Sequence, residues 1–156
     1  MTSEMNTEHT SIPELIKAAR DALHDGSTEG VLAFWRNDNG DREQRSFRSR
    51  ELIDLAESKF QPDDYDGAVE LWSAFKSGLG CIDNDEANQR AFRYISFLAE
   101  AGNVSAQEVL LIDYLHGLNG LSKNQQHFLY WCDRAIHGGS RLAQEERKKF
   151  QEKDAS

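Results

Sequence analysis

Side-chain catalysis needs a nucleophile, a positioned base or a bound metal, and few residues of this chain could supply one. The histidines are His9, His24, His116, His127 and His137. No two of them have the His-x-x-x-His spacing that aims a pair of imidazoles from one helical face at a single ion. His127, Cys132 and His137 stand five residues apart, a rotation of about 140° per step on a helix, so within one helix they diverge. Asp63-Asp64-Tyr65-Asp66-Gly67 and Asp83-Asn84-Asp85-Glu86 offer the oxygen ligands that calcium takes. Placing Gly67 at the sixth position of an EF-hand loop, however, puts Pro62 first and Ser73 twelfth, where carboxylates are required. Neither a Gly-x-Gly-x-x-Gly run nor a Gly-Lys-Ser/Thr loop is present to cradle a phosphate. Cys132 lies in an apolar helical pattern and reads as an inert core thiol, whereas Cys81 follows a loop glycine. The expectation is a protein with no catalytic residues, no metal and no cofactor.

Charge is the stronger signal. The chain of 156 residues carries 18 Lys plus Arg against 27 Asp plus Glu, a formal charge of −9. That excludes a general nucleic-acid binder, whose footprint is basic, and adhesion to anionic membranes. No stretch approaches the roughly 18 apolar residues of a membrane span, and Met1 to Pro13 lacks the basic and apolar regions of a secretory signal. With only two cysteines there is no disulfide framework, so a reducing, cytoplasmic setting is expected.

Residues 62–86 concentrate this charge. Asp63, Asp64, Asp66, Glu70, Asp83, Asp85 and Glu86 face only Lys76, a net of −6. Such a cluster keeps a small protein soluble, and it can also steer a basic partner onto the surface. Arg42, Arg45, Arg48 and Arg50 form a smaller basic group, interspersed with Asp41, Glu43 and Glu51, as a solvated or salt-bridged face would be.

The elements that must position these residues come from an internal repeat. Leu71, Phe75 and Gly78 recur 39 positions later as Leu110, Tyr114 and Gly117. Ala91, Tyr94, Leu98, Ala99, Gly102 and Ala106 recur 37 positions later as Phe128, Trp131, Ala135, Ile136, Gly139 and Ala143. The second copy is therefore two residues shorter in the loop between its parts. Leu71, Phe75 and Gly78 share one helical face, and Tyr94, Leu98 and Ala99 form the stripe of a second helix. Gly78-Leu79-Gly80 and Gly117-Leu118-Asn119-Gly120 read as the turns between helices, while Gly102 and Gly138-Gly139 are stop signals. Neither helix of a pair can bury its apolar face alone, so pairs must stack.

Elsewhere, Ile12 to His24 reads as a helix capped by Ser11 and stopped by Asp25-Gly26. Gly30 to Trp35 is a short apolar run, read as helix from its repeat context. Asn37 to Asp41 reads as a turn. Arg50 to Phe60 is predicted helical, ahead of a break at Gln61-Pro62, and Arg141 to Lys153 is a charged closing helix. The organisation expected is a mobile 1–10, degenerate helices over 11–62, two repeats over 63–144, and a capping helix and tail over 145–156.

The repeat resembles the Sel1-like family of the tetratricopeptide-like superfamily. The family pattern, Tyr-x-x-Gly-x-Gly-Val and then Ala-x-x-Trp-x-x-x-Ala-Ala-x-x-Gly-x-x-x-Ala, is matched by Phe75-x-x-Gly78-x-Gly80-Cys81 and by Ala91 through Ala106. The second copy runs from Tyr114-x-x-Gly117 through Phe128-x-x-Trp131 to Gly139 and Ala143. It departs by an extra residue before Gly120 and by Phe128 in place of a small alanine. The resemblance covers 67–144 and implies an all-α fold, a short right-handed α-solenoid of antiparallel helix pairs. Its matched residues are packing positions, and Sel1-like proteins generally serve as interaction scaffolds.

Phe75, Tyr94, Tyr114 and Trp131 are accordingly assigned to packing between helices. Tyr65, Trp72 and Tyr130 are not fixed by the repeat, and Tyr and Trp dominate binding hot spots. The expected function is a non-enzymatic binder of another protein, an inhibitor, immunity-type or adaptor protein that occludes a basic effector, toxin or enzyme. It would bind through Asp63, Asp64, Tyr65, Asp66, Trp72, Asp83, Asp85, Glu86 and Tyr130. Alternatives are a nucleic-acid mimic that competes for a DNA-binding protein, or an enzyme with an unrecognised site.

Overall fold

Among the described residues, polar side chains start six of the helices. Ser11 Oγ accepts from the Glu14 N–H at 3.3 Å and donates to the Glu14 carboxylate at 3.0 Å. Asp64 and Asp83 accept from the N–H groups of Gly67 and Glu86 at 2.8 and 2.9 Å. Asn103, Asn124 and Ser140 do the same for Ala106, His127 and Ala143 at 2.9, 3.0 and 3.0 Å. Each satisfies an N–H that the first helical turn would otherwise leave unpaired.

In the computed structural model, which describes residues 9–23 and 38–155, the chain forms a series of helices. They are α1 (Ile12–Leu23), α2 (Asp38–Ser58), α3 (Tyr65–Lys76), α4 (Asn84–Glu100), α5 (Val104–His116), α6 (Gln125–His137) and α7 (Arg141–Ala155). The described residues contain no strand, so the fold is all-α. No helix is long and apolar enough to cross a membrane among the described residues.

The chain divides into two compact units, Met1–Ala87 and Asn88–Ser156. In the first, α1 packs on α2 and α3. Its stripe of Ile12, Leu15, Ile16 and Ala19 is buried, as are Ile53 and Ala56 of α2 and Ala68, Leu71, Ala74 and Phe75 of α3. In the second, α6 packs against α5 and α7, and the buried side chains include Tyr94, Leu98, Leu110, Leu111, Phe128, Trp131 and Cys132. Burial pushes the Cys132 thiol up to about 11, the behaviour of an inert core cysteine.

Most residues paired by the 39- and 37-position offsets adopt matching states. Gly78 and Gly117 are both left-handed, at φ 84° and 68°, as are Gly102 and Gly139 at 101° and 94°. At Gly78, Gly102 and Gly139 the helix closes with the paired 6→1 and 5→2 hydrogen bonds of a Schellman cap, for example Leu79 N–H to Ala74 and Gly78 N–H to Phe75. Leu71 and Leu110, Tyr94 and Trp131, Leu98 and Ala135, and Ala106 and Ala143 are all buried. Tyr114 is half-buried where its counterpart Phe75 is fully buried.

One local expectation is corrected. Residues 38–41, read as a turn, are the first turn of α2, which is 21 residues long instead of the short helix expected from Arg50. Asp, Asn and Gly favour turns taken singly. Once Ile53 and Ala56 anchor the helix against α1, though, extension costs little per residue, and acidic residue types suit a first helical turn. The expected apolar helix at 30–35, the stop at 25–26 and most of the N-terminal tail lie outside the described residues.

Candidate functional site

The α3 helix has two apolar faces. Ala68, Leu71, Ala74 and Phe75 form the buried one. Tyr65, Val69 and Trp72, at i, i+4 and i+7, form a second stripe about 120° around the helix from the first. Tyr65 is 53% exposed and Val69 is 42% exposed, with Trp72 half-buried beside them. Exposed Asp63 and Asp66 lie at the N-terminal end of this stripe, Glu70 is half-buried on its flank, and Lys76 stands at its far end. An exposed tyrosine and valine thus lie beside exposed carboxylates on one face of α3.

The carboxylates expected to act together are separated by the fold. Asp63, Asp64 and Asp66 surround the start of α3, while Asp83, Asp85 and Glu86 follow its end. A helix of 12 residues separates them, about 18 Å along its axis. Their roles also differ. Asp64 and Asp83 are helix caps, so their oxygens are engaged by backbone N–H groups. Glu86 holds Arg50 through both oxygens, at 2.7 and 3.3 Å, and accepts from the Ile82 N–H at 3.0 Å. Arg50 also donates to the Gly80 carbonyl at 3.4 Å, so this cluster pins the α3–α4 turn to α2. Asp63, Asp66 and Asp85 remain as exposed carboxylates.

Tyr130 belongs to the second unit. It is 45% exposed, packs edge-on against Trp131, and accepts a hydrogen bond from Arg134 at 3.1 Å. That bond, reinforced by Glu100, raises the Arg134 guanidinium above its ordinary value.

Sequence reasoning missed Val69, and with it the continuity of the α3 stripe. The available signal was that Tyr65, Val69 and Trp72 keep helical spacing on a face distinct from that of Leu71. It also missed Ile82, which is 81% exposed in the α3–α4 turn, and Phe47, 64% exposed on α2. Nothing in a local pattern distinguishes these from core residues.

The three histidines of the second unit do not gather. His116 ends α5, His127 is in the first turn of α6 stacked on Tyr114 at 4.8 Å, and His137 ends α6, all three exposed. Among the described residues, no group of three or more His, Cys, Asp and Glu side chains could hold a metal ion. Compared with models of known protein families, with curated proteins and with solved structures, the chain has no match.

Proposed function

We propose that this protein is a non-enzymatic binding module, a short Sel1-like α-solenoid that acts in the cytoplasm by occluding a basic partner protein. The observation that carries the reading is the outward stripe of α3. Tyr65 and Val69 are exposed on a face of α3 that lies apart from its buried one, which leaves apolar surface open to a partner. Their burial by a partner would contribute to binding, in the manner of aromatic anchors. Asp63, Asp66 and Asp85 add negative charge that steers a basic surface toward the stripe, and the net charge of −9 acts in the same direction at longer range. Free thiols at Cys81 and Cys132 suit a reducing compartment. The partner class that fits is a folded basic effector, toxin domain or enzyme.

The test is a pull-down from native cell extract with the wild type, Tyr65→Ala/Val69→Ala and Asp63→Lys/Asp66→Lys, washed at low and high salt. A stoichiometric basic protein retained by the wild type and lost with either double variant is the expected result. Asp85→Lys should slow its association at low salt while leaving the fold intact. A partner retained equally by all variants overturns the assignment to α3. Competition of that partner by DNA would favour the nucleic-acid-mimic reading.

A further inference from the structure

The second unit contains a groove of about 400 Å³ between α4, α5 and α6, within the range that ligand clefts occupy. Phe92, Ser96 and Glu100 recur every four residues along one face of α4, so a single helix contributes an aromatic ring, a hydroxyl and a carboxylate in line. Tyr114 of α5 and His127 of α6 stack at 4.8 Å with their planes 23° apart. Tyr130 and Trp131 meet edge to face at 4.8 Å and 79°. Aromatic faces are electron-rich and attract cations. Among the described residues lining the groove, Glu100 is the one carrying formal charge. The lining is thus π-rich, with one carboxylate that the Arg134 guanidinium shares at the rim.

Two further observations narrow the ligand. Ser96 Oγ is buried without a hydrogen-bond partner, so its hydrogen-bonding capacity is open to a ligand. At the rim, the chain already shows which cation the surface accepts. The Arg134 guanidinium stands 5.8 and 5.4 Å from the ring centroids of Tyr130 and Trp131, with its Nη1 2.7 Å from Glu100 Oε2. Guanidinium is flat, donates five hydrogen bonds and accepts none, so it can stack on a ring while bonding a carboxylate and a hydroxyl. An ammonium is a strongly hydrated point charge and cannot stack.

We propose that the α4–α5–α6 groove binds an arginine side chain presented by an exposed segment of a partner protein. The guanidinium stacks against the aromatic walls, pairs with Glu100 beside Arg134 and donates to Ser96 Oγ. This inference does not rest on the α3 stripe, because the groove can be read with a peptide probe and no partner present.

The experiment is a titration of the full chain with acetyl-Gly-Arg-Gly-amide, followed through the indole N–H resonance of Trp131 and the aromatic resonances of Tyr114 and Tyr130. The citrulline and lysine forms of the same peptide serve as controls. The expected result is a saturable shift with the arginine peptide, at least about tenfold weaker with citrulline and weaker with lysine. Glu100→Gln and Tyr130→Ala, both at exposed positions, should each reduce affinity by about tenfold with the helical circular dichroism unchanged. Equal binding of the citrulline or lysine peptide, shifts indifferent to both variants, or no shift with any peptide would overturn the proposal.

Discussion

Val104, Glu108 and Leu111 of α5 stand 39 positions after Tyr65, Val69 and Trp72 of α3, and the two helices treat that face differently. In α5 the face is covered. Leu111 is fully buried, Glu108 accepts a 2.7 Å hydrogen bond from Ser140, and the backbone of Gly138 lies so close to Val104 that a Cβ there would come within 2.5 Å of it. In α3 the same face carries larger apolar residues and leaves Tyr65 and Val69 in solvent. The inner faces, by contrast, agree: Leu71 and Leu110 are both buried, and Gly78 and Gly117 both exit left-handed. The copies share what closes and packs a helix and diverge on what the helix shows. A surface that binds is therefore to be sought where the copies differ, since the common positions are already occupied by folding.

Truncation separates the two faces most sharply. Leu111→Ala should destabilise the protein by about 2–5 kcal/mol through lost burial and the cavity left behind. Val69→Ala, at a position 42% exposed, should stay within about 0.5 kcal/mol. Urea unfolding of both variants provides the measurement, and comparable losses would mean that the α3 stripe is part of the core.

Cys132 and Cys81 contrast the two units in reactivity. Cys132 is buried and its thiol is pushed up to about 11 from an ordinary 9.0, whereas Cys81 is half-buried. An unfolded chain releases the Cys132 proton near 9 while the folded chain holds it to about 11, so the unfolded state binds fewer protons in that window. The contribution of this thiol is fully present below pH 9 and is lost as pH rises toward 11, on the order of 1–2 kcal/mol. Comparing urea midpoints at pH 8.5 and 10.5 for wild type and Cys132→Ala should show a smaller alkaline loss in the variant. At neutral pH, a thiol reagent should label Cys81 in the native state and Cys132 only on unfolding.

The smallest expected effect distinguishes the capping carboxylate of α3 from the free ones beside it. Asp64→Ala should cost about 1 kcal/mol, because the Gly67 N–H loses its acceptor. Asp64→Asn keeps an acceptor and should cost only a few tenths, as should Asp66→Asn, whose side chain is exposed. Thermal melts would resolve the difference. An equal loss for Asp64→Ala and Asp66→Asn would mean that α3 is stabilised by charge near its N-terminus and not by the cap itself.

How much of this was readable in advance depends on the range of each interaction. The helices at 12–23, 65–76 and 84–155 follow from local rules: an apolar residue every three or four positions, a Ser, Asp or Asn before each start, and a glycine after several of the ends. Those signals act within a turn of the chain, so a linear pattern contains them. The N-terminal half of α2 escaped the same rules because residues 38–45 carry no apolar stripe, and their helix is extended from a segment anchored elsewhere. The duties of the acidic residues were equally hidden. Asp64 and Asp83 are caps and Glu86 is bound to Arg50, 36 positions away, while Asp63, Asp66 and Asp85 remain in solvent. All six look alike in a count of charge.

Residue types a few positions apart are enough to set most of the helices, their caps and the glycine exits, though not the N-terminal half of α2. Tertiary structure decided which of two apolar stripes on α3 is buried, which carboxylates stay exposed, and that Phe92, Ser96, Glu100, Tyr114 and Tyr130 line one groove. The reason is that burial depends on what a distant segment covers, and no spacing within a helix encodes that.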